Sequence, residues 1–390
     1  MKYYIIAGEA SGDMHASNLM KGLLAEDPDA VIRYWGGEKM DEVYRSARGS
    51  SGLVYDYRET AVMGYVQILS KLGTILQRAR FCEDDILEFN PDVVILVDYP
   101  GFNLRIARYA HNNGYRVFYY IAPKVWAHKE YRNKQLKRYV DRLYVVFPFE
   151  TEYFASKGIK YVYKGNPLLD AVDTSPQLTE SREEFFAGCG IPDCPYIALL
   201  AGSRNQEIAS MMPLYMRLAD VLHRDRPGMR FLIAAGPKRS DKDYEKYIGR
   251  RDYVHIIHGR TYGVLRHAEA AVINSGTASL EAALIGTPQV VCYRAGLLIG
   301  LIVRIFIKIK YVSLGNLILD KLAFREILQS EFTLANVRRE VERLLDDKAY
   351  VAKMKEDYAE IRSRLGGKGA SRAVARSMIA ELVALKDRKV

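Results

Sequence analysis

Short runs rich in β-branched and aromatic residues alternate with longer stretches of helical periodicity from the first residues onward. Two neighbouring parallel strands need a long crossover between them, usually a helix, so this alternation predicts βαβ units with helices on both sheet faces. Strands are expected near Tyr3–Ala7, Val31–Trp35, Val93–Val97, Arg116–Ile121 and Leu143–Phe147. The pattern pauses at Gly165-Asn166-Pro167 and through the polar stretch Asp173–Glu180. It then restarts with strands near Tyr196–Leu200, Arg230–Ala235, Val254–Ile257, Ala271–Ile273 and Gln289–Cys292. The predicted fold class is α/β, with two doubly wound, Rossmann-like domains. At 390 residues the chain also exceeds what one hydrophobic core normally spans, about 250–300 residues. The expected division is 1–167 and 168–367, and the last part of a charged helical tail, 368–390, is expected to complete the first domain.

Hydrophobic residues make up 49% of the chain and charged residues 27%, a globular balance that excludes a disordered class. Cys82, Cys189, Cys194 and Cys292 form no CxxC pair and no cluster with histidine, so reduced thiols are expected and a zinc site is not. Gly8 and Glu9 interrupt the apolar run after Lys2 before a signal-peptide core forms, which points to the cytoplasm. No apolar stretch reaches the roughly 20 residues that a bilayer crossing needs. The nearest, Leu297–Ile309, contains Arg304 and Lys308. It reads either as a helix lying in a membrane surface or as a dimer-interface or core helix with snorkelling basic groups. The net charge of +10 favours anionic partners. Lys and Arg are dispersed and no RNA-binding signature is present, so nucleic acid is not expected among them.

Ligands of open parallel sheets bind beyond the carboxyl ends of the strands. Four predicted strand ends carry suitable residues. Gly8-Glu9-Ala10-Ser11-Gly12-Asp13 permits close backbone approach and offers Ser11 or Asp13 as a helix cap, although a purely structural tight turn explains it equally well. Asp98 closes an apolar run, where partial desolvation would raise its pKa toward that of a general base. Its competing role, capping the helix near Leu104, suits Asn103 better. Gly202-Ser203-Arg204 combines a glycine, a hydroxyl and a guanidinium that matches phosphate oxygens, against the alternative that Arg204 simply pairs with Glu207. Gly276 and Thr277 would offer donors to a diphosphate at a helix N-terminus, and Glu281, one turn deeper, can accept from a ribose diol. A capped structural helix is the alternative there. The histidines His15, His128 and His258 lie apart and the Asp-x-Asp pairs lie away from strand ends, so no metal and no other cofactor is expected.

Together these motifs resemble the lipid-A-disaccharide synthases, inverting glycosyltransferases with a two-domain GT-B fold whose domains face each other across a cleft. The resemblance also rests on Ala61-Val62-Met63-Gly64, Val125-Trp126-Ala127, Phe147-Pro148-Phe149-Glu150 and Tyr311-Val312-Ser313-Leu314. It implies transfer of a diacylated glucosamine from UDP to the 6-hydroxyl of diacylglucosamine 1-phosphate (lipid X), without a metal. It makes Asp98 the catalytic carboxylate, and it assigns Gly202, Ser203, Arg204, Gly276, Thr277, Glu281 and Asn316 to UDP. Glu9, Ser11, Asp13, Met63, Asn103, Trp126 and His128 fall on the acceptor side. It further implies a homodimer bound peripherally to the inner membrane. Lys124, His128, Ala201, Gly315 and the run Phe324–Gln329 depart from the usual pattern. The apolar segment Val62–Leu76 reads either as an acyl-chain surface or as a core helix. Competing readings are a UDP-N-acetylglucosamine 2-epimerase, a peptidoglycan glycosyltransferase of the same fold, and a non-catalytic basic module that binds nucleic acid.

Overall fold

A computed structural model describes residues 1–61, 70–127, 129–237, 239–294 and 310–387. The chain divides into two compact units, Met1–Asp170 with Leu365–Val390, and Ala171–Arg364. The first is built on a 7-stranded sheet of β1 (Lys2–Ala7), β2 (Val31–Gly36), β3 (Leu53–Asp56), β4 (Val93–Val97), β5 (Arg116–Tyr120), β6 (Arg142–Val145) and β7 (Tyr161–Tyr163), in the order β3-β2-β1-β4-β5-β6-β7. Every neighbouring pair is parallel. Central parallel strands are covered on both faces and therefore read as continuous apolar runs, as Val93-Val94-Ile95-Leu96-Val97 does. Tyr4, Ile6, Val94, Leu96, Val117, Tyr119, Leu143 and Val145 share one buried cluster with Phe102, Ile106 and Phe154 of the covering helices.

The second unit repeats the plan with a 6-stranded sheet of β8 (Tyr196–Leu200), β9 (Arg230–Ala234), β10 (Val254–Ile257), β11 (Ala270–Asn274), β12 (Gln289–Tyr293) and β13 (Glu326–Leu328), in the order β10-β9-β8-β11-β12-β13. Its pairs are also parallel. In each sheet the strand order turns back once, between β1 and β4 and between β8 and β11. The loops beyond those strands leave to opposite sides and open a notch at the carboxyl edge. β3, β7 and β13 were absent from the sequence reading because each is an edge strand of only 3 or 4 residues.

After the helix Lys348–Leu365 the chain returns to the first unit, where the helix Ala370–Asp387 packs on Ala10–Glu26. Asp170 anchors the return by accepting the Gly369 and Ser371 N–H groups at 2.6 and 2.9 Å. Glu26 pairs with Arg372 and Arg376 at 2.6 and 2.9 Å. Among the described residues no helix is long and apolar enough to cross a membrane. Leu297–Ile309 and residues 62–69 of the apolar segment Val62–Leu76 lie outside the described residues, while Ile75 and Leu76 are exposed.

The two packed helices meet at Gly22. A Cβ there would lie 2.9 Å from Ala375 Cβ and 3.1 Å from the backbone of Arg372. In an exposed helix interior, Gly→Ala stabilises by up to about 1 kcal/mol. Here the overpacking decides the sign, and Gly22→Ala is expected to lower stability by about 1–3 kcal/mol in urea unfolding. A raised midpoint would show that the helices do not meet at this residue.

Candidate functional site

In the first unit, the loops leaving β1 and β4 approach closely. A Cβ on Gly8 would sit 2.3 Å from the Tyr99 ring, so no larger residue fits without displacing that ring. Asp98 and Tyr99 both have left-handed backbone, φ 45° and 46°, a conformation that costs of order 1–3 kcal/mol at a non-glycine residue. The surrounding hydrogen bonds hold it. The Asp98 carbonyl accepts from the Asn103 amide at 2.8 Å and from the Tyr119 hydroxyl at 2.5 Å, while the Asp98 N–H donates to Tyr120 O at 3.1 Å. The carboxyl group is thereby presented at the notch by a fixed backbone. Burial raises its pKa above the ordinary carboxylate value, the charge of Glu9 raises it further, and Lys124 lowers it.

The other acceptor-side candidates divide into groups. Glu9 and Ser11 are exposed at the start of the helix Ala10–Glu26. Asp13 is not a cap of its own helix: it is buried, and its oxygens accept the N–H groups of Gly37 (2.9 Å), Lys39 (3.2 Å) and Met40 (3.2 Å), which start the next helix, Glu38–Arg48. Asn103 is fully buried and serves as the clamp on Asp98 just described, not as a cap or an exposed contact. Trp126 is partly exposed and donates its indole N–H to Glu150 at 3.1 Å. Met63 and His128 lie outside the described residues.

In the second unit, the loops leaving β8 and β11 touch. A Cβ on Gly202, which has φ 100°, would meet Glu207 Oε2 at 2.4 Å and Asn274 Nδ2 at 2.7 Å. Glu207 Oε2 accepts the N–H groups of Ser203 and Arg204 at 2.9 and 3.1 Å, so those backbone donors are already engaged. The Arg204 side chain is 79% exposed and pairs with Glu207 Oε1 at 3.2 Å. What this loop offers a phosphate is therefore the guanidinium and the Ser203 hydroxyl. Gly276 and Thr277 are exposed at the start of the helix Thr277–Ile285, which has no side-chain cap. Its first N–H groups and dipole favour an anion there. One turn on, Glu281 accepts the Tyr262 hydroxyl at 3.0 Å through Oε1, and burial raises its pKa. Asn316, expected near the nucleotide, is fully buried. Its amide bonds Phe324 O and Glu326 at 2.9 Å each, and its carbonyl accepts from Ala323 and Phe324, which occupies the side chain within its own loop.

Three residues that bond these candidates carry no signal of it in the sequence. Tyr119 and Tyr262 looked like ordinary strand and helix aromatics. Glu150 stands within the run Phe147-Pro148-Phe149-Glu150, and at the third position of a helix it reads as a cap. Its side chain is almost fully buried, and burial pushes its pKa up to about 7. Among the described residues no group of three or more histidine, cysteine, aspartate or glutamate side chains is placed to hold a metal ion.

The family model for lipid-A-disaccharide synthetase matches residues 3–381. A lipid-A-disaccharide synthase of Myxococcus xanthus is 35% identical over 96% of this chain and 96% of its own length. One from Trichlorobacter lovleyi is 33% identical over 95% of each. Among solved structures, a UDP-GlcNAc 2-epimerase of Neisseria meningitidis bound to UDP-GlcNAc superposes with a TM-score of 0.69 at 14% identity, covering 97% of this chain and 100% of that one. A sucrose-phosphate synthase of Thermosynechococcus elongatus reaches 0.60 at 14% identity, covering 99% and 100%. At such identities the likeness shows a shared fold.

Asp13 separates a structural from a ligand-contacting role. Asp13→Ala leaves three N–H groups at a helix start without their acceptor, and is expected to lower stability by about 1–3 kcal/mol in urea unfolding. Normal stability together with lost ligand binding would return Asp13 to the acceptor side.

Proposed function

The chain belongs to the lipid-A-disaccharide synthetase family, and from that membership we propose how its two notches divide the work of a glycosyl transfer. It is a glycosyltransferase of lipid A biosynthesis, acting on UDP-sugar substrates. The reaction proposed for it joins UDP-2,3-diacylglucosamine to 2,3-diacylglucosamine 1-phosphate, giving the β-1,6-linked disaccharide 1-phosphate and UDP. The observation that carries the mechanism is Asp98, a carboxylate with raised pKa on a locked left-handed backbone at the β1/β4 notch.

In this mechanism Asp98 takes the proton from the acceptor 6-hydroxyl as that oxygen bonds to the anomeric carbon. The bond from that carbon to the diphosphate oxygen breaks on the opposite face, and UDP leaves with the electron pair. The Arg204 guanidinium and the helix beginning at Thr277 stabilise the charge that develops on the diphosphate, the role a metal plays in other transferases. Glu281, with Oε1 held by Tyr262, keeps Oε2 for the ribose hydroxyls. The fold is shared with 2-epimerases and does not choose between the reactions; family membership favours transfer.

The acylated substrates and the net charge of +10 support a peripheral site on the inner membrane, and the family resemblance supports a homodimer. Sedimentation with anionic vesicles that is not reversed by salt would count against an electrostatic contribution. A scattering mass near 44.4 kDa would count against the dimer.

Incubation with both acylated substrates, followed by mass analysis, is expected to show a tetra-acylated disaccharide phosphate; its absence would sink the assignment. Asp98→Ala should reduce kcat by about 10²-fold or more while UDP affinity, read by calorimetry, stays normal. Because the base acts deprotonated, the rate falls as pH drops through the raised Asp98 pKa. Removing the Glu9 charge (Glu9→Gln) lowers that pKa and moves the acidic limb to lower pH, whereas Lys124→Gln moves it higher. Unshifted limbs in both variants would assign the base elsewhere.

A further inference from the structure

Glu150 is the third residue of the helix Pro148–Ser156, and its side chain is 1% exposed. At that position a glutamate ordinarily completes a capping box. Its Oε2 makes the glutamate half of such a box, accepting the Val146 and Phe147 N–H groups at 3.1 and 3.0 Å. A cap has no use for the second oxygen. Oε1 instead accepts the Trp126 indole N–H at 3.1 Å, from the loop beyond the neighbouring strand β5. Phe149 meets the same indole edge-on, with ring centroids 4.9 Å apart at 85°, and stacks on Phe147. Asn166, beyond β7, donates to the Val146 carbonyl at 2.8 Å and extends the same tie. One buried carboxylate thus joins the loops beyond β5 and β6, at the sheet edge that also carries Asp98. Lys124, two residues before Trp126, is close enough to act electrostatically on both Asp98 and Glu150.

We propose that Glu150 is a positioning residue for acceptor recognition, fixing the Trp126 indole and its loop so that the partly exposed ring forms a platform for the acceptor sugar beside Asp98. The inference rests on the glycosyl-transfer reading above. A ring already fixed loses little rotamer freedom when a sugar stacks on it, which is how preorganisation raises affinity. Burial opposes ionisation of the carboxyl, and the three N–H donors and Lys124 favour it, which leaves the group near 7. Among the described residues Tyr163 of β7 also faces it, its hydroxyl pushed up to about 12 by burial and by Glu150. An ionised acceptor bonds N–H donors more strongly than a neutral one, so the clamp is firm above that range and loosens below it.

Glu150→Gln tests this, because the amide carbonyl still accepts the capping N–H groups while its NH2 cannot accept from an indole. In the full-length enzyme, E150Q is expected to raise acceptor KM about 10-fold or more, with donor KM and UDP binding unchanged. Trp126→Phe keeps an aromatic ring without the N–H and should raise acceptor KM likewise, the double variant being no worse than either single one. The chain has 2 tryptophans, so the difference in emission between proteins with and without Trp126 isolates that residue from Trp35. That difference is expected to titrate with a midpoint near 7 in the wild type and to lose the transition in E150Q. A transition that survives in E150Q belongs to another group, such as His128, and overturns the proposal, as does an unchanged acceptor KM in the two variants. If E150Q does not fold, the acceptor KM of Trp126→Phe decides. Absence of disaccharide from the wild type would instead overturn the transfer reading, and the emission comparison would still test the Glu150–Trp126 bond.

Discussion

A parallel sheet that grows to one side and then resumes on the other has one place where neighbouring loops diverge, and the placement of Asp98, Gly202 and Gly276 follows from that constraint. In the first sheet the place lies between β1 and β4, in the second between β8 and β11. The crossovers of such a sheet leave to opposite sides there, which is where ligands of this architecture bind. In each notch a glycine on one loop lets the other come close: Gly8 beneath the Tyr99 ring, and Gly202 against the Asn274 amide. The candidate site is thus placed by topology before any side chain is chosen.

Within the first notch, local strain and its compensation set the position of Asp98. Asp98 and Tyr99 are the only consecutive non-glycine residues with positive φ among the described residues. The turn they make is held by buried donors, Asn103 and Tyr119, that bond the Asp98 carbonyl and leave the carboxylate unengaged by them. The same division recurs elsewhere in the molecule. Glu281 and Glu150 are each held by a neighbouring aromatic donor, Tyr262 and Trp126, and each has its pKa raised by burial. Asp13 differs in its partners: its oxygens accept only backbone N–H groups at the start of the next helix, and it reads as architecture.

The two doubly wound sheets were legible because central parallel strands are uniformly apolar and their crossovers carry helical periodicity. Tyr3–Ala7 and Val93–Val97 could hardly be read otherwise. Edge strands such as Leu53–Asp56 and Tyr161–Tyr163 escaped notice, because a strand paired on one side and half exposed carries little pattern. Among the site candidates, strand-end position singles out Asp98, Arg204 and Thr277 as candidates without any view of packing. The same rule could not separate Asn103, a buried clamp, from an exposed ligand contact, and family likeness could not show that Asn316 is occupied by its own loop.

What the residues determine alone is local: which segments become strands, which polar groups end them, and which family the motifs belong to. Those properties depend on periodicity and on neighbours a few positions away. The order of the strands, the partner of each buried carboxylate and the direction of each pKa shift depend on residues far apart in the chain. Asp13 finds its donors at Gly37–Met40, and Glu150 finds Trp126 across two strands. Only folding brings those groups together and removes water from around them, and that desolvation is what raises the pKa of these carboxylates.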